Sequence, residues 1–251
     1  MVFTEVPFDD RFRLAREAGF DYIEFWTWKD KHIARINELC LAHDLRVASF
    51  SGDQDFSMID EEQREDYIAF VEASIKTAQS LRCDYLVVHS NALGEKGVVR
   101  NTYAAVSDEQ KRAAMREVLR SLAATAETAR ITLLLEALNT VVDHPGNFLA
   151  HTKDAAEIVR DVNSENVKVL YDIYHMQIME GNLSQTLKTY IDTIGYIHVA
   201  DVPGRHEPGT GEINYANLMS VLRELAYDGF IGFELDPEKS SKEAVRAIGD
   251  L

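Results

Sequence analysis

Seven short apolar runs recur along this chain, and the stretches between them carry helical periodicity or loop-like composition. The runs are DYIEFW (21–26), RVASFS (46–51), CDYLVVHS (83–90), ITLLLEAL (131–138), VKVLYD (167–172), GYIHVAD (195–201) and GFIGFEL (229–235). The helical stretches include FDDRFRLAREAGF, closed by the stop signal Gly19, and DEQKRAAMREVLRSLAATAETA, the strongest helix pattern in the sequence. Such alternation requires a parallel sheet, because a strand followed by a crossover helix returns beside its predecessor. A closed (β/α) barrel and an open doubly wound sheet both satisfy it. No linker or composition shift divides the chain, so a single domain over 1–251 is expected.

The ends of the later runs separate the two architectures. Glu136 follows ITLLL, Asp172 ends VKVLYD, His198 lies in YIHVAD, and Glu234 follows GFIGF. Their spacings are 36, 26 and 36 residues, each about one strand-helix unit. Residues at the C-terminal ends of successive strands converge at one mouth of a barrel. In an open sheet the site gathers in one crevice, and a dinucleotide fold would carry G-x-G-x-x-G after an early strand. No such motif occurs here. The α/β class and the (β/α)8 TIM barrel are therefore expected.

Singly, each of the four residues has an ordinary explanation: a cap, an ion pair, a hydrogen-bonded core histidine. Four at matched strand ends point to a site, because clustered carboxylates repel one another and burial penalises each. A divalent cation removes that cost. Three carboxylates and an imidazole suit Mn²⁺, Mg²⁺ or Co²⁺, and Zn²⁺ accepts the same donors. Other polar groups lie nearby in sequence. His175 follows Asp172 by one helical turn, Arg205 and Glu207 occupy the loop after His198, His89 ends its run, and Glu24 lies within DYIEFW. His175, Arg205, His89 and Glu24 are the candidates for binding substrate oxygens, with an inner-barrel ion pair as the other reading of Glu24. Trp26 and Trp28 could wall a pocket or simply pack, and His144 reads as a loop residue.

Composition narrows the function classes. A formal charge of −16 over 251 residues disfavours a nucleic-acid partner, which needs a basic face. No run reaches membrane-spanning length, and Cys40 and Cys83 show no pairing motif. A cytoplasmic protein with structural thiols and no membrane partner is expected.

LLLEALNT, YDIYHMQIMEG and ADVPGRHEPGTGEINY resemble the hydroxypyruvate isomerase family, within the xylose-isomerase-like TIM barrels. The resemblance runs over essentially the whole chain. It implies a divalent metal held by Glu136, Asp172, residue 198 and Glu234, with the two glutamates as the acid/base pair. It also implies a small hydroxycarbonyl or sugar substrate and a homo-oligomer. Relatives of this kind begin with a strand just before the segment matching MVFTEVPFDDRF, so the first barrel strand is expected to be missing from this chain or replaced. In one respect the sequence departs: the isomerase pattern has glutamine where this chain has His198, and related ketose 3-epimerases have histidine. Isomerase and 3-epimerase therefore both remain open.

The residues suit such chemistry on their own terms. Moving a proton beside a carbonyl needs a base, an acid and something to hold enediolate charge. Glu136 and Glu234 are the candidates for proton transfer. A metal-dependent nuclease would want a basic groove, and a non-catalytic sugar-binding barrel would be free to lose a ligand. All four are present.

Overall fold

The computed structural model describes residues 2–251. In chain order the elements are α1 (Phe8–Glu17), β1 (Tyr22–Phe25), α2 (Ile33–His43), β2 (Arg46–Ser51), α3 (Arg64–Leu81), β3 (Tyr85–Val88), α4 (Asp108–Ala129) and β4 (Thr132–Glu136). They continue with α5 (Thr152–Val162), β5 (Val167–Asp172), α6 (Ile173–Met179), α7 (Leu183–Tyr190), β6 (Ile194–His198), α8 (Tyr215–Glu224), β7 (Phe230–Gly232) and α9 (Ser241–Gly249). The strands pair in parallel and in sequence order, β1 to β7, giving a nearly closed barrel wrapped by helices. Among the described residues no helix is long and apolar enough to cross a membrane.

Local chemistry accounts for the helix ends. The helix α4 starts in a capping box, in which Ser107 accepts from the Gln110 backbone and Gln110 reaches back to Ser107. Asp172 caps α6 by accepting the His175 N–H at 3.1 Å, so one metal-type residue also turns the chain from strand into helix.

Alternation within the strands builds two cores. Leu86, Leu133, Leu135, Val169 and Ile197 pack outward against the helices. Ala48, Val87, Leu134, Leu170 and Tyr196 point inward. Burial on both faces explains the near-continuous apolar runs. The barrel floor is aromatic: Tyr196 stacks on Phe230 at 5.6 Å, and Tyr85 meets both rings edge-on at 5.5 Å. Such pairs contribute about 0.5–1.5 kcal/mol each beyond the area they bury.

Several strands are shorter than their apolar runs. The run 195–201 ends its ladder at His198, yet Val199 and Ala200 are buried as well. The run 229–235 narrows to three residues, leaving Glu234 just beyond the strand. Apolar character persists because the loops at the mouth fold back over the barrel.

Seven strands are described, and no ladder joins β7 to β1. Side chains bridge this seam. Tyr22 meets Phe230 at 4.8 Å, and Trp26 Nε1–H donates to Glu234 Oε1 at 2.8 Å. Between them Glu24 lies over Gly232, where a Cβ would stand 2.6 Å from the Glu24 Oε2 atom. Glycine at 232 is thus a space requirement. Residues 2–6 form turns rather than a strand. They dock beside α9, where the Phe3 N–H donates to Ser241 Oγ at 2.7 Å.

Candidate metal and active site

Donor atoms of Glu136, Asp172, His198 and Glu234 all lie within 4.8 Å of one another at the barrel mouth. The first three are buried, and Glu234 is less so. Two of their atoms, Glu136 Oε1 and His198 Nδ1, are buried without a hydrogen-bond partner. Orphaned buried acceptors are rare and costly, about 1–3 kcal/mol each. Glu136 Oε1 has no partner and His198 Nδ1 faces only the Glu234 carboxylate, 3.2 Å away, so the donor set of this cluster fits a divalent cation, and the residues can hold one.

Electrostatics describe the same site before a cation enters. Burial raises the Asp172 carboxyl above its usual range; Arg205 and His198 oppose that rise and the Glu234 charge adds to it. For Glu234 burial also disfavours charge, but Arg205 and His198 outweigh it and hold the carboxylate well below its ordinary value. Arg205 Nη2 reaches Glu234 Oε2 at 2.8 Å and Asp172 Oδ2 at 3.5 Å, with its guanidinium 5.1 Å over the Tyr174 ring. Together with His198 it supplies the positive charge that offsets these two carboxylates.

The loop that presents Arg205 is tightly braced. Asp201 accepts from the backbone N–H groups of Val202, Gly209 and Ile213 at 2.9, 2.9 and 3.1 Å. Gly211 passes so close that a Cβ would meet the Val202 carbonyl at 2.0 Å, which excludes any larger residue. Arg205 itself adopts φ +58°, held there by the Asp236 N–H on its carbonyl at 2.8 Å. A left-handed arginine costs about 1–3 kcal/mol and persists where surroundings enforce it. Glu207 is buried and accepts the Glu238 N–H at 2.9 Å, so it is part of the brace.

His175 is wholly buried, and its Nδ1 faces the Asn139 backbone N–H at 3.3 Å and side-chain amide at 2.7 Å. Nδ1 must accept, so Nε2 carries the proton and points toward Asp172 Oδ2, 3.7 Å away. Burial and the Arg205 charge push its pKa down to about 3, leaving a neutral ring with one fixed donor at the cluster.

The other two substrate candidates are placed differently. Glu24 Oε1 accepts from Ser49 at 2.7 Å and Tyr196 at 2.5 Å, and lies 3.4 Å from His198 Nε2. It is the inner-barrel partner of a metal-type residue. A carboxylate behind His198 Nε2–H is the usual arrangement for a ligating histidine, whose Nδ1 would give up its proton to offer a lone pair to a cation. Both nitrogens of His89 are also engaged, Nδ1 with Asp53 at 2.9 Å and Nε2 with Glu136 at 3.1 Å. Burial opposes its charge, but Asp53 and Glu136 raise its pKa to about 10. As arranged, both His89 nitrogens are taken up by carboxylates, and Glu24 Oε1 by Ser49, Tyr196 and His198. His144 donates to the Gly97 carbonyl at 2.7 Å, Trp28 bonds Ser74 at 2.8 Å within the helix layer, and Trp26 stands half-exposed at the rim.

Comparison with known proteins makes the chain an isomerase or epimerase on a (β/α) barrel. The chain belongs to the xylose isomerase-like TIM barrel family, whose model matches residues 12–251. It is 36% identical to hydroxypyruvate isomerase of Escherichia coli (strain K12) over 98% of this chain and 94% of that one. It is 33% identical to 2-oxo-tetronate isomerase of Cupriavidus necator, covering 94% of this chain and 90% of the other. Among solved structures, an AP endonuclease, family 2, from Brucella melitensis superposes with a TM-score of 0.89 at 30% identity, over 99% and 95% of the two chains.

Proposed function

We propose that this protein is a metal-dependent isomerase of a small hydroxycarbonyl compound, shifting a proton between adjacent carbons through an enediolate. The observation that carries the reading is the convergence of Glu136, Asp172, His198 and Glu234 within 4.8 Å, two of them with orphaned donor atoms. A divalent ion there, Mn²⁺, Mg²⁺, Co²⁺ or Zn²⁺, would polarise the substrate carbonyl and stabilise developing negative charge by several kcal/mol. One glutamate removes the proton from the hydroxyl-bearing carbon and the other delivers a proton to its neighbour, while the hydroxyl proton passes to the former carbonyl oxygen. Positioned carboxylates contribute about 10²–10⁴-fold each. His175 Nε2–H and Arg205 hold substrate oxygens.

The two relatives are named for 2-oxo acids with a neighbouring hydroxyl, and a three- or four-carbon acid of that kind is the first substrate class to test. The −16 charge counts against the nucleic-acid substrate that the Brucella melitensis protein's name suggests for that protein. A cytoplasmic setting belongs to the same proposal and is supported by Cys40 and Cys83, both buried and unpaired.

The test is a panel of hydroxypyruvate, tartronate semialdehyde, 2-oxo-tetronate, tetroses and free ketoses with Mn²⁺ in D₂O, followed by NMR. Deuterium should enter beside the carbonyl as the carbonyl moves to the adjacent carbon. Exchange at C3 of a ketose with inverted configuration and no carbonyl migration would make the protein a ketose 3-epimerase instead. Absence of exchange with every compound, with Mn²⁺ and in repeats with Mg²⁺, Co²⁺ and Zn²⁺, would overturn both, leaving a non-catalytic sugar-binding barrel.

A further inference from the structure

We infer that Asp53 and His89 form a positioning dyad that fixes the Glu136 carboxylate and decides which of its oxygens faces the cluster. The inference rests on the proposed role of Glu136 in metal binding and proton transfer. Asp53 lies just after β2, His89 just after β3, and Glu136 at the end of β4, so three neighbouring strand ends supply the chain.

Its geometry is over-determined from the back. Asp53 Oδ2 accepts from the His89 backbone N–H at 2.6 Å and from the Tyr67 hydroxyl at 2.9 Å. Asp53 Oδ1 lies 2.9 Å from His89 Nδ1. Three donors on one buried carboxylate leave it no alternative rotamer of comparable energy, because turning it would abandon charge-assisted bonds in a dry interior. The imidazole plane is set in turn, aiming Nε2 at Glu136 Oε2 at 3.1 Å. A carboxylate only accepts, so this nitrogen must donate.

The consequence lies on the other oxygen. With Oε2 held by His89, Oε1 remains, and it is the Glu136 atom buried without a partner. Glu136 thus meets the cluster through one predetermined oxygen. Partners behind ligating or reacting groups typically contribute about 10–100-fold in metal affinity or activity. The bland alternative is a polar network that merely stabilises the barrel wall, and the two predict different things.

His89→Leu removes the donor, whereas the amide of His89→Gln can place an N–H near the former Nε2. The leucine variant should lose about 10–100-fold in kcat and at least several-fold in Mn²⁺ affinity, with substrate KM moving less than about threefold. The glutamine variant should recover most of both. Metal-free crystal structures provide the second readout: the Glu136 carboxylate should leave its position in the leucine variant and keep it in the glutamine variant. Should His89→Leu not fold, Tyr67→Phe withdraws one donor from Asp53 and should give a few-fold loss in the same direction. The dyad is refuted if His89→Leu keeps kcat, Mn²⁺ affinity and the Glu136 position. It is equally refuted if the leucine and glutamine variants lose melting temperature and activity in parallel. A wild-type protein that binds no Mn²⁺ refutes the metal reading instead, and the crystallographic comparison still decides the dyad.

Discussion

Glu136 and Glu234 bring the same carboxylate to one cluster from two unlike walls. Glu136 stands where β3, β4 and β5 are joined by continuous ladders, with His89 and Asp53 packed behind it. Glu234 stands at the seam, where among the described residues β7 has no strand on its far side and the neighbours are the exposed Trp26, the loop-borne Arg205 and His198, whose Nδ1 is 3.2 Å away. A paired wall fixes a carboxylate through buried, directional bonds. An open wall holds it by charge and by a rim side chain that solvent can replace. The two glutamates are thus held by different kinds of contact, which the proposed transfer of a proton from one carbon to another would use. Sheet edges at the seam also invite pairing with a further strand, from this chain's own kind or another.

The largest expected effect tests whether both walls serve proton transfer at all. Glu136→Gln and Glu234→Gln retain an oxygen for a cation but cannot take a proton. Each should lose about 10²-fold or more in kcat while Mn²⁺ still binds, more weakly, by titration calorimetry. Near-normal turnover in either variant with metal bound would make that residue a ligand only. The comparison would then concern metal binding alone.

Chelation comes next in size. Without a cation, Asp172 carries a charge that burial disfavours, Glu136 Oε1 lacks a partner, and His198 Nδ1 has only the Glu234 carboxylate, 3.2 Å away. A ligand that binds only the folded state at about 100 times its Kd stabilises it by about 2.7 kcal/mol. In a chain of this size that corresponds to about 5–10 °C in Tm by scanning calorimetry. An unchanged Tm on adding EDTA to metal-loaded protein would argue that Arg205 alone neutralises the cluster.

The sequence made the four cluster residues legible because each terminates or follows an apolar run, and strand ends in a parallel barrel share one mouth. The seven runs all became strands, but their lengths were overstated wherever a buried loop continues the apolar pattern, as Val199 and Ala200 do. Partners were not legible. Trp26 meets Glu234 across 208 residues, and Glu24 meets Tyr196 across 172. His89 and Glu24 have the side chains of substrate-binding groups, and only their surroundings reveal that both His89 nitrogens and one Glu24 oxygen are bonded to other residues. Asp53 lies in the polar loop SGDQD after β2, whose sequence gives it no distinct role. A carboxylate after an early strand followed by a tyrosine on the next helix was the available signal, and it is a weak one.

His198→Gln examines the residue between the walls and should have a smaller effect. Glu24 lies behind Nε2 and the cluster in front of Nδ1, so position 198 needs a donor on one side and an acceptor on the other. A glutamine amide supplies both, with N–H toward Glu24 and its carbonyl toward the cluster. Metal affinity and kcat should stay within about tenfold, with the preference among 2-oxo acids and ketoses free to shift. His198→Leu supplies neither and should fall with the glutamate variants, by about 10–100-fold or more in metal affinity. Equal losses for glutamine and leucine would mean that the imidazole itself is required.

The smallest effect lies at the seam. Trp26 donates to Glu234 Oε1 from a residue that is 50% exposed, so water can take over that bond when the indole N–H is gone. A replaceable hydrogen bond contributes toward the low end of about 0.5–1.5 kcal/mol. Trp26→Phe keeps an aromatic cover and removes only the donor. Turnover should fall by about 2–5-fold, with little change in Mn²⁺ affinity, because Glu234 Oε2 keeps Arg205 at 2.8 Å. The informative quantity is the ratio of this loss to that of His89→Leu, which removes the corresponding donor from the paired wall. A ratio near one, from steady-state kinetics under the same metal loading, would mean that the seam orients its glutamate as firmly as the ladders do. Ten times less loss at Trp26 than at His89 is what the two kinds of contact require.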